Sequence, residues 1–169
     1  DTDTHNQQIN ALSNTDQRIA AQKPVTPAFL IAALLWPTVK KRSQQLELFG
    51  QSEIQAILSS GQQIILETSK HMAIPKRFSL AIRDIWDLQP RLALMQNKKS
   101  RDLLAHRWFR AAFDLRILLE QNSRMGDECS RFWMKQQLRY PEIVGSASKI
   151  PGNKFKRNTR GQYRSKTNG

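Results

Sequence analysis

The apolar residues of this chain recur at helical spacing, and no stretch alternates convincingly with period two. Thr26 followed by Pro27 opens the clearest helix: threonine can accept from free amides, and proline supplies a preset φ where its missing N–H costs nothing. Phe29, Leu30, Ile31, Leu34 and Leu35 are then apolar nearly all round, the pattern of a central core helix. Pro37 is expected to kink or end it, which leaves Lys40, Lys41 and Arg42 just beyond as solvated charges near a helix C-terminus. Ser52 and Gln55 have capping-box spacing ahead of Ile54, Ile57, Leu58, Ile64, Ile65 and Leu66, a helical face from about residue 52 to about 70. Gly61 lies within that face at a cost of about 1 kcal/mol against alanine, tolerable if another helix crosses closely there.

Pro75 breaks the chain, and Ser79 is expected to cap a helix carrying Leu80, Ile82, Ile85 and Trp86, with Arg83 and Asp87 as an i, i+4 pair. Pro90 should bend or stop that helix. Asn97 to Ser100 reads as a turn, with Ser100 capping a short helix through Leu103 and Leu104. Trp108 to Gln121 carries a wide apolar stripe, and after Gly126 and Asp127 a last helix holds Cys129, Phe132, Trp133 and Leu138. The consistent fold class is all-α, an irregular bundle of about six helices.

The two ends differ from this middle. Ile9, Leu12, Ile19 and Ala20 have loosely helical spacing in a polar setting, so residues 1–24 read as the end of a preceding helical region and 25–144 as the body. From Gly145 the chain has seven basic residues, no acid and little apolar content beyond Ile150, Phe155 and Tyr163. Residues 145–169 therefore read as a disordered basic tail, because they cannot bury enough surface to offset the entropy of ordering. In it Lys154, Lys156 and Arg157 beside Phe155 suit loose RNA binding, phosphates taking the charge and bases stacking on rings.

Charge narrows the function classes. Lys and Arg number 27 against 14 Asp and Glu, a formal net charge of +13. A polyanion is the expected partner, and nucleic acid leads because Lys and Arg contacts to phosphate release condensed counterions. An acidic membrane surface competes, but neither end carries a lipidation signal, and the apolar run Ala28 to Trp36 is far short of the roughly 20 residues that span a bilayer. Within Ala73 to Asp114, Lys76, Arg77, Arg83, Arg91, Lys98, Lys99, Arg101, Arg107 and Arg110 interleave with Phe78, Trp86, Trp108 and Phe109, so the segment can pack on one side and hold polyanion on the other. Cys129 is the single cysteine, which excludes an internal disulfide and a cysteine-built metal site and fits a reducing cytoplasm. His5, His71 and His106 are scattered, no Walker loop or Gly-rich dinucleotide fingerprint occurs, and the paired acids of two-metal chemistry have no good match beyond Asp1 and Asp3. No catalytic or metal-ligating residue is therefore assigned to this chain. A first residue other than Met fits a processed chain or a piece of a longer protein.

Five ordered blocks carry a family resemblance: NTDQRI (Asn14 to Ile19), VTPAFLIAALLW (Val25 to Trp36), AIPKRF (Ala73 to Phe78), RDIWDLQ (Arg83 to Gln89) and LLAHRWFRAAFDL (Leu103 to Leu115). Together they resemble the C-terminal body of bacterial poly(A) polymerases, relatives of the tRNA CCA-adding enzymes in the nucleotidyltransferase superfamily. The resemblance implies an all-helical body that holds RNA 3′ ends while AMP from ATP is added by a catalytic head, marking the RNA for decay. ATP and Mg²⁺ would then act through that head, with no cofactor in this chain. It implies RNA-facing roles for Lys76, Arg77, Arg83, Arg107 and Arg110, and scaffold roles for Pro27, Phe29, Trp86 and Phe113. The basic tail resembles the arginine-rich extension of these polymerases, a region that meets RNA and RNA-decay proteins. The pattern departs from the family at Pro90, where a helix-friendly residue is expected, and in a tail richer in Asn, Gly and Ser. A stand-alone RNA-binding or adaptor module and the body of a CCA-adding enzyme are the alternative readings.

Overall fold

The computed structural model describes residues 26–149, so the expectations for residues 1–24 and for Lys154, Lys156 and Arg157 lie outside the described part. Among the described residues six α-helices follow one another: α1 (Pro27–Leu48), α2 (Glu53–Ser69), α3 (Lys76–Ala93), α4 (Ser100–Ala105), α5 (Phe109–Asn122) and α6 (Glu128–Arg139). A 3₁₀ turn, Asn97–Lys99, leads into α4, and a second, Ser146–Lys149, follows α6. No strand occurs among the described residues, and the fold is the all-α bundle the periodicity implies. None of its helices is long and apolar enough to cross a membrane.

Two helix starts follow the sequence directly. The Phe29 N–H donates to Thr26 Oγ1 at 3.2 Å with Pro27 in the first turn, and the Gln55 N–H donates to Ser52 Oγ at 3.3 Å. Two others differ. Helix α3 begins at Lys76, directly after Pro75, whose φ of −55° already suits a helix entry; Ser79 is inside the helix, its hydroxyl donating to the Lys76 carbonyl at 2.9 Å. Ser100 is likewise no cap. Its buried hydroxyl donates back to the Asn97 carbonyl at 2.8 Å, closing the 3₁₀ turn onto α4.

Pro37 and Pro90 lie inside helices that continue past them, so neither ends its helix. Each removes one N–H from the ladder, orphaning the Ala33 carbonyl in α1 and the Trp86 carbonyl in α3. At each site a side chain donates to the carbonyl just before the orphan. The Trp86 indole N–H donates to Ala32 O at 2.9 Å, and Gln89 Nε2 donates to Ile85 O at 3.1 Å and to Ala112 O on α5 at 3.0 Å. A carbonyl has two lone pairs, so these bonds tie the interrupted ladder into neighbouring helices at the weakened turns. Because α1 continues, Lys40 and Arg42 are mid-helix and not beyond it. They pair with Glu53 and Glu67 of α2, both at 2.9 Å, and the Arg42 hydrogen bond holds the Glu67 carboxyl below the usual carboxylate range. Such exposed pairs set the register of α1 on α2 more than they stabilise it.

Two apolar cores result. The first joins α1, α2, α3 and α5 through Phe29, Trp36, Ile57, Ile64, Ile82, Ile85, Trp86 and Leu118. Gly61 is where α2 crosses Trp86: a Cβ there would stand 2.9 Å from Trp86 Cε3, so only glycine permits this approach. The second core joins the end of α3 to α4, α5 and α6 through Leu88, Leu92, Leu104, Phe109, Phe113, Cys129 and Trp133. Trp133 Nε1 at 2.8 Å and Cys129 Sγ at 3.3 Å both donate to the Leu92 carbonyl, which lies in the last turn of α3. Cys129 is thus a packed thiol, and burial raises its pKa. Not every periodic apolar position faces inward: Leu138 is 75% exposed and Leu80 50%.

The first residues assigned to the tail are attached to the body. Gly145, at φ +67°, turns the chain so that its N–H donates to the Leu104 carbonyl at 2.8 Å, and Ser146–Lys149 continues as a 3₁₀ turn.

Candidate nucleic-acid interface

The sequence-derived cations fall into separate groups. Lys76 and Arg77 occupy the first turn of α3, both exposed, with the Arg77 guanidinium 4.9 Å from the Phe78 ring centre. Pro75 gives that helix end no side-chain cap, so its free amides and the two cations add up to a local positive potential. Lys98 and Lys99 lie on the 3₁₀ turn beyond the other end of α3, whose 18 residues put about 27 Å between the two pairs. Arg83 lies about two turns beyond Lys76 on the same side of α3, half-buried with Asp84 and Asp87 close by. It makes no ion pair with Asp87 among the described residues, so the expected i, i+4 bridge does not form.

Burial pushes the Asp87 carboxyl up to about 6, with Asp84 adding to the rise and Arg83 and Arg91 opposing it. The folded pKa exceeds the unfolded value of 3.8, so the fold binds the extra proton and loses stability as pH climbs between the two. A rise of about two units is worth about 3 kcal/mol, reduced to about 1–2 kcal/mol by partial solvent access. Asp87→Asn should therefore raise the unfolding free energy by about that amount at neutral pH, with the gain vanishing below about pH 4. Urea titrations at the two pH values measure it, and an equal effect at both would contradict the assignment.

Arg107 and Arg110 do come together. They line a groove of about 240 Å³ with Thr26, Phe29, Trp108, Ala111 and Asp114, where the start of α5 meets the start of α1. The Arg107 guanidinium is 5.2 Å from the Trp108 ring centre and that of Arg110 is 6.0 Å from Phe113. Cations stacked on rings in this way lose less freedom on meeting a phosphate and gain roughly 0.5–1 kcal/mol from each ring. His106 caps the entry to α5: its Nδ1 accepts the Trp108 N–H at 3.0 Å. Burial lowers its pKa, which suits an acceptor nitrogen.

The last turn of α6 gathers cations that sequence spacing did not connect. Arg110 Nη1 hydrogen-bonds Gln137 Oε1, Gln136 Nε2 reaches Asn97 Oδ1 at 3.4 Å beside Lys98 and Lys99, and Arg101 Nη2 donates to the Tyr140 hydroxyl at 3.3 Å. Arg139 and Tyr140, and their grouping with Arg101 of the basic segment, are not visible in the sequence, since they meet across 39 residues of chain and share no motif. The one hint in the sequence is the Arg139–Tyr140 pair at a helix end, where exposed carbonyls favour cations.

The chain can now be set beside known proteins. The sequence family described as "Polymerase A arginine-rich C-terminus" matches residues 49–166. Proteins named poly(A) polymerase I from Salmonella typhi and Salmonella typhimurium are 35% identical to it over 134 residues, 77% of this chain and 29% of theirs. The poly(A) polymerase I of Haemophilus influenzae is 30% identical over 132 residues, again 29% of its length. This chain therefore spans under a third of the relatives it matches. Its six-helix body, its basic groups and its matched residues make it a member of the polymerase A arginine-rich C-terminus family.

Proposed function

We propose that this chain is the RNA-binding body and tail of a poly(A) polymerase, holding RNA 3′ ends so that AMP from ATP can be added to them. The observation that carries the reading is the groove where Arg107 and Arg110, each stacked on an aromatic ring, converge at the start of α5. Contacts of this kind hold the backbone by its phosphates and impose position without strong sequence preference. Lys76, Arg77, Arg83, Lys98 and Lys99 extend the positive surface, and Lys154, Lys156 and Arg157 add tethered charge. The addition of AMP would mark transcripts for decay in the cytoplasm, with RNA-decay proteins as further partners of the basic tail.

Among the described residues no group of three or more His, Cys, Asp or Glu side chains is disposed to hold a metal ion. Glu53, Glu67, Glu120 and Asp127 are each paired with a cation. In the proposed reading ATP and Mg²⁺ act through a catalytic head, and this chain supplies RNA binding.

The test is binding of a single-stranded oligoadenylate across a salt series. Converting Arg107 and Arg110 together to Gln should weaken binding roughly tenfold and lower the slope of log K against log salt by about 1.4, at about 0.7 per phosphate contact on a single strand. Binding by the unaltered chain that is absent, or insensitive to salt, would sink the reading.

A further inference from the structure

Arg101, Arg139 and Tyr140 form a cluster that the Arg107–Arg110 groove does not include. The Arg101 guanidinium lies 4.6 Å from the Tyr140 ring centre and that of Arg139 lies 5.3 Å from it. The hydroxyl of the same tyrosine accepts from Arg101, a hydrogen bond that raises the arginine pKa and lowers that of the phenol. Two cations held at one ring repel each other. Neither forms an ion pair with an acid among the described residues, Glu142 acting on Arg101 only from longer range. An anion between them would relieve that repulsion. A guanidinium stacked on a ring also spends its π surface there and keeps its in-plane N–H groups for oxygen.

The surroundings point to the same ligand. The Asn97–Gln136 contact brings the turn bearing Lys98 and Lys99 against this part of α6. On the other side, Gln137 binds Arg110 of the groove three residues before Tyr140, about 4.5 Å along the helix axis. Gly145 pins the chain to α4 just downstream.

We infer that Arg101 and Arg139, ordered by Tyr140 and flanked by Lys98 and Lys99, form a phosphate-binding subsite for single-stranded RNA. The inference rests on the RNA-binding reading of the groove and extends it. A strand seated against Arg107 and Arg110 continues over the last turn of α6, and its next phosphates meet this cluster before the tail. Tyr140 is a positioning residue here, not itself the source of charge.

The experiment uses the full 169-residue chain and single-stranded oligoadenylate, with fluorescence anisotropy read over a salt series. The Arg101→Gln, Arg139→Gln double variant should bind roughly tenfold more weakly, with a salt slope lower by about 1.4. Tyr140→Ala leaves every charge in place and should still weaken binding several-fold, whereas Tyr140→Phe keeps the ring and most of the affinity. Thermal unfolding separates a binding loss from a folding loss, and the double variant decides the matter should Tyr140→Ala unfold. Undiminished binding by the double variant, alongside weakened binding by the Arg107, Arg110 variant, overturns the subsite and leaves the groove standing. If a folded Tyr140→Ala binds like the parent chain, the cations act only as diffuse charge and the subsite is also overturned. No effect from either arginine pair removes both readings together.

Discussion

Trp86→Ala should lower the unfolding free energy by about 4 kcal/mol, the upper part of the range for truncating a large buried aromatic. The ring is fully buried where α1, α2 and α3 meet, so three helices border the vacancy and none can close it without parting from the others. A second loss comes from the indole N–H, whose bond to Ala32 O ties α3 to α1 beside the turn weakened by Pro37. Trp86→Phe separates the two contributions: it keeps much of the volume and gives up the hydrogen bond, for an expected loss of about 2 kcal/mol. Urea denaturation followed by far-ultraviolet circular dichroism measures both. A loss below about 1 kcal/mol for the alanine variant would mean that the crossing is looser than Gly61 and Trp86 make it.

Glu120→Ala should cost about 3 kcal/mol. The Glu120 side chain is 5% exposed and its partner Arg116 12%, and their 3.3 Å pair joins successive turns of α5. The same carboxylate oxygen accepts the Ser130 N–H at 3.1 Å, so it also satisfies a free amide in the first turn of α6. Removing the carboxylate leaves Arg116 charged in a largely dry position and that amide without its partner. Losing one member of a buried pair typically costs about 3–5 kcal/mol, and the residual exposure of Arg116 puts this case at the lower end. Glu120→Gln keeps an acceptor for Ser130 but no charge for Arg116, and should fall between. Measured stability of Glu120→Ala within about 0.5 kcal/mol of the parent chain would show that solvent reaches the pair freely.

What the sequence disclosed, and what it hid, follows from the range of each interaction. Thr26, Pro27 and Ser52 were legible because a cap is settled by residues within one turn of it. Gly61 was legible because glycine in a helical face has few explanations other than a close crossing. For Pro37 and Pro90 the sequence left a kink and a helix end both open, since the local penalty of proline is plain in the sequence while the bonds beside it are not. The Ala32 carbonyl receives the indole of Trp86, 54 residues away, and the carbonyl of Ala112 holds Gln89 across 23. The cations divide in the same way. Arg107, on the turn before α5, and Arg110, in its first turn, share a groove as neighbours three residues apart can, but Arg101 and Tyr140 meet only because α6 folds back over α4 and α5.

Helix α3 gives Ile82, Ile85 and Trp86 to the first core and Leu88 and Leu92 to the second. The same rod starts with Lys76 and Arg77 at one end and leads into Lys98 and Lys99 at the other. Neither core can melt while α3 stays whole, because each would strip it of half its buried side. The body therefore behaves as a single cooperative unit, in which the α3 amides exchange hydrogen only when everything opens. Mechanically, α3 is a fixed ruler between two positively charged ends, and a strand touching both must adapt its own path to that length.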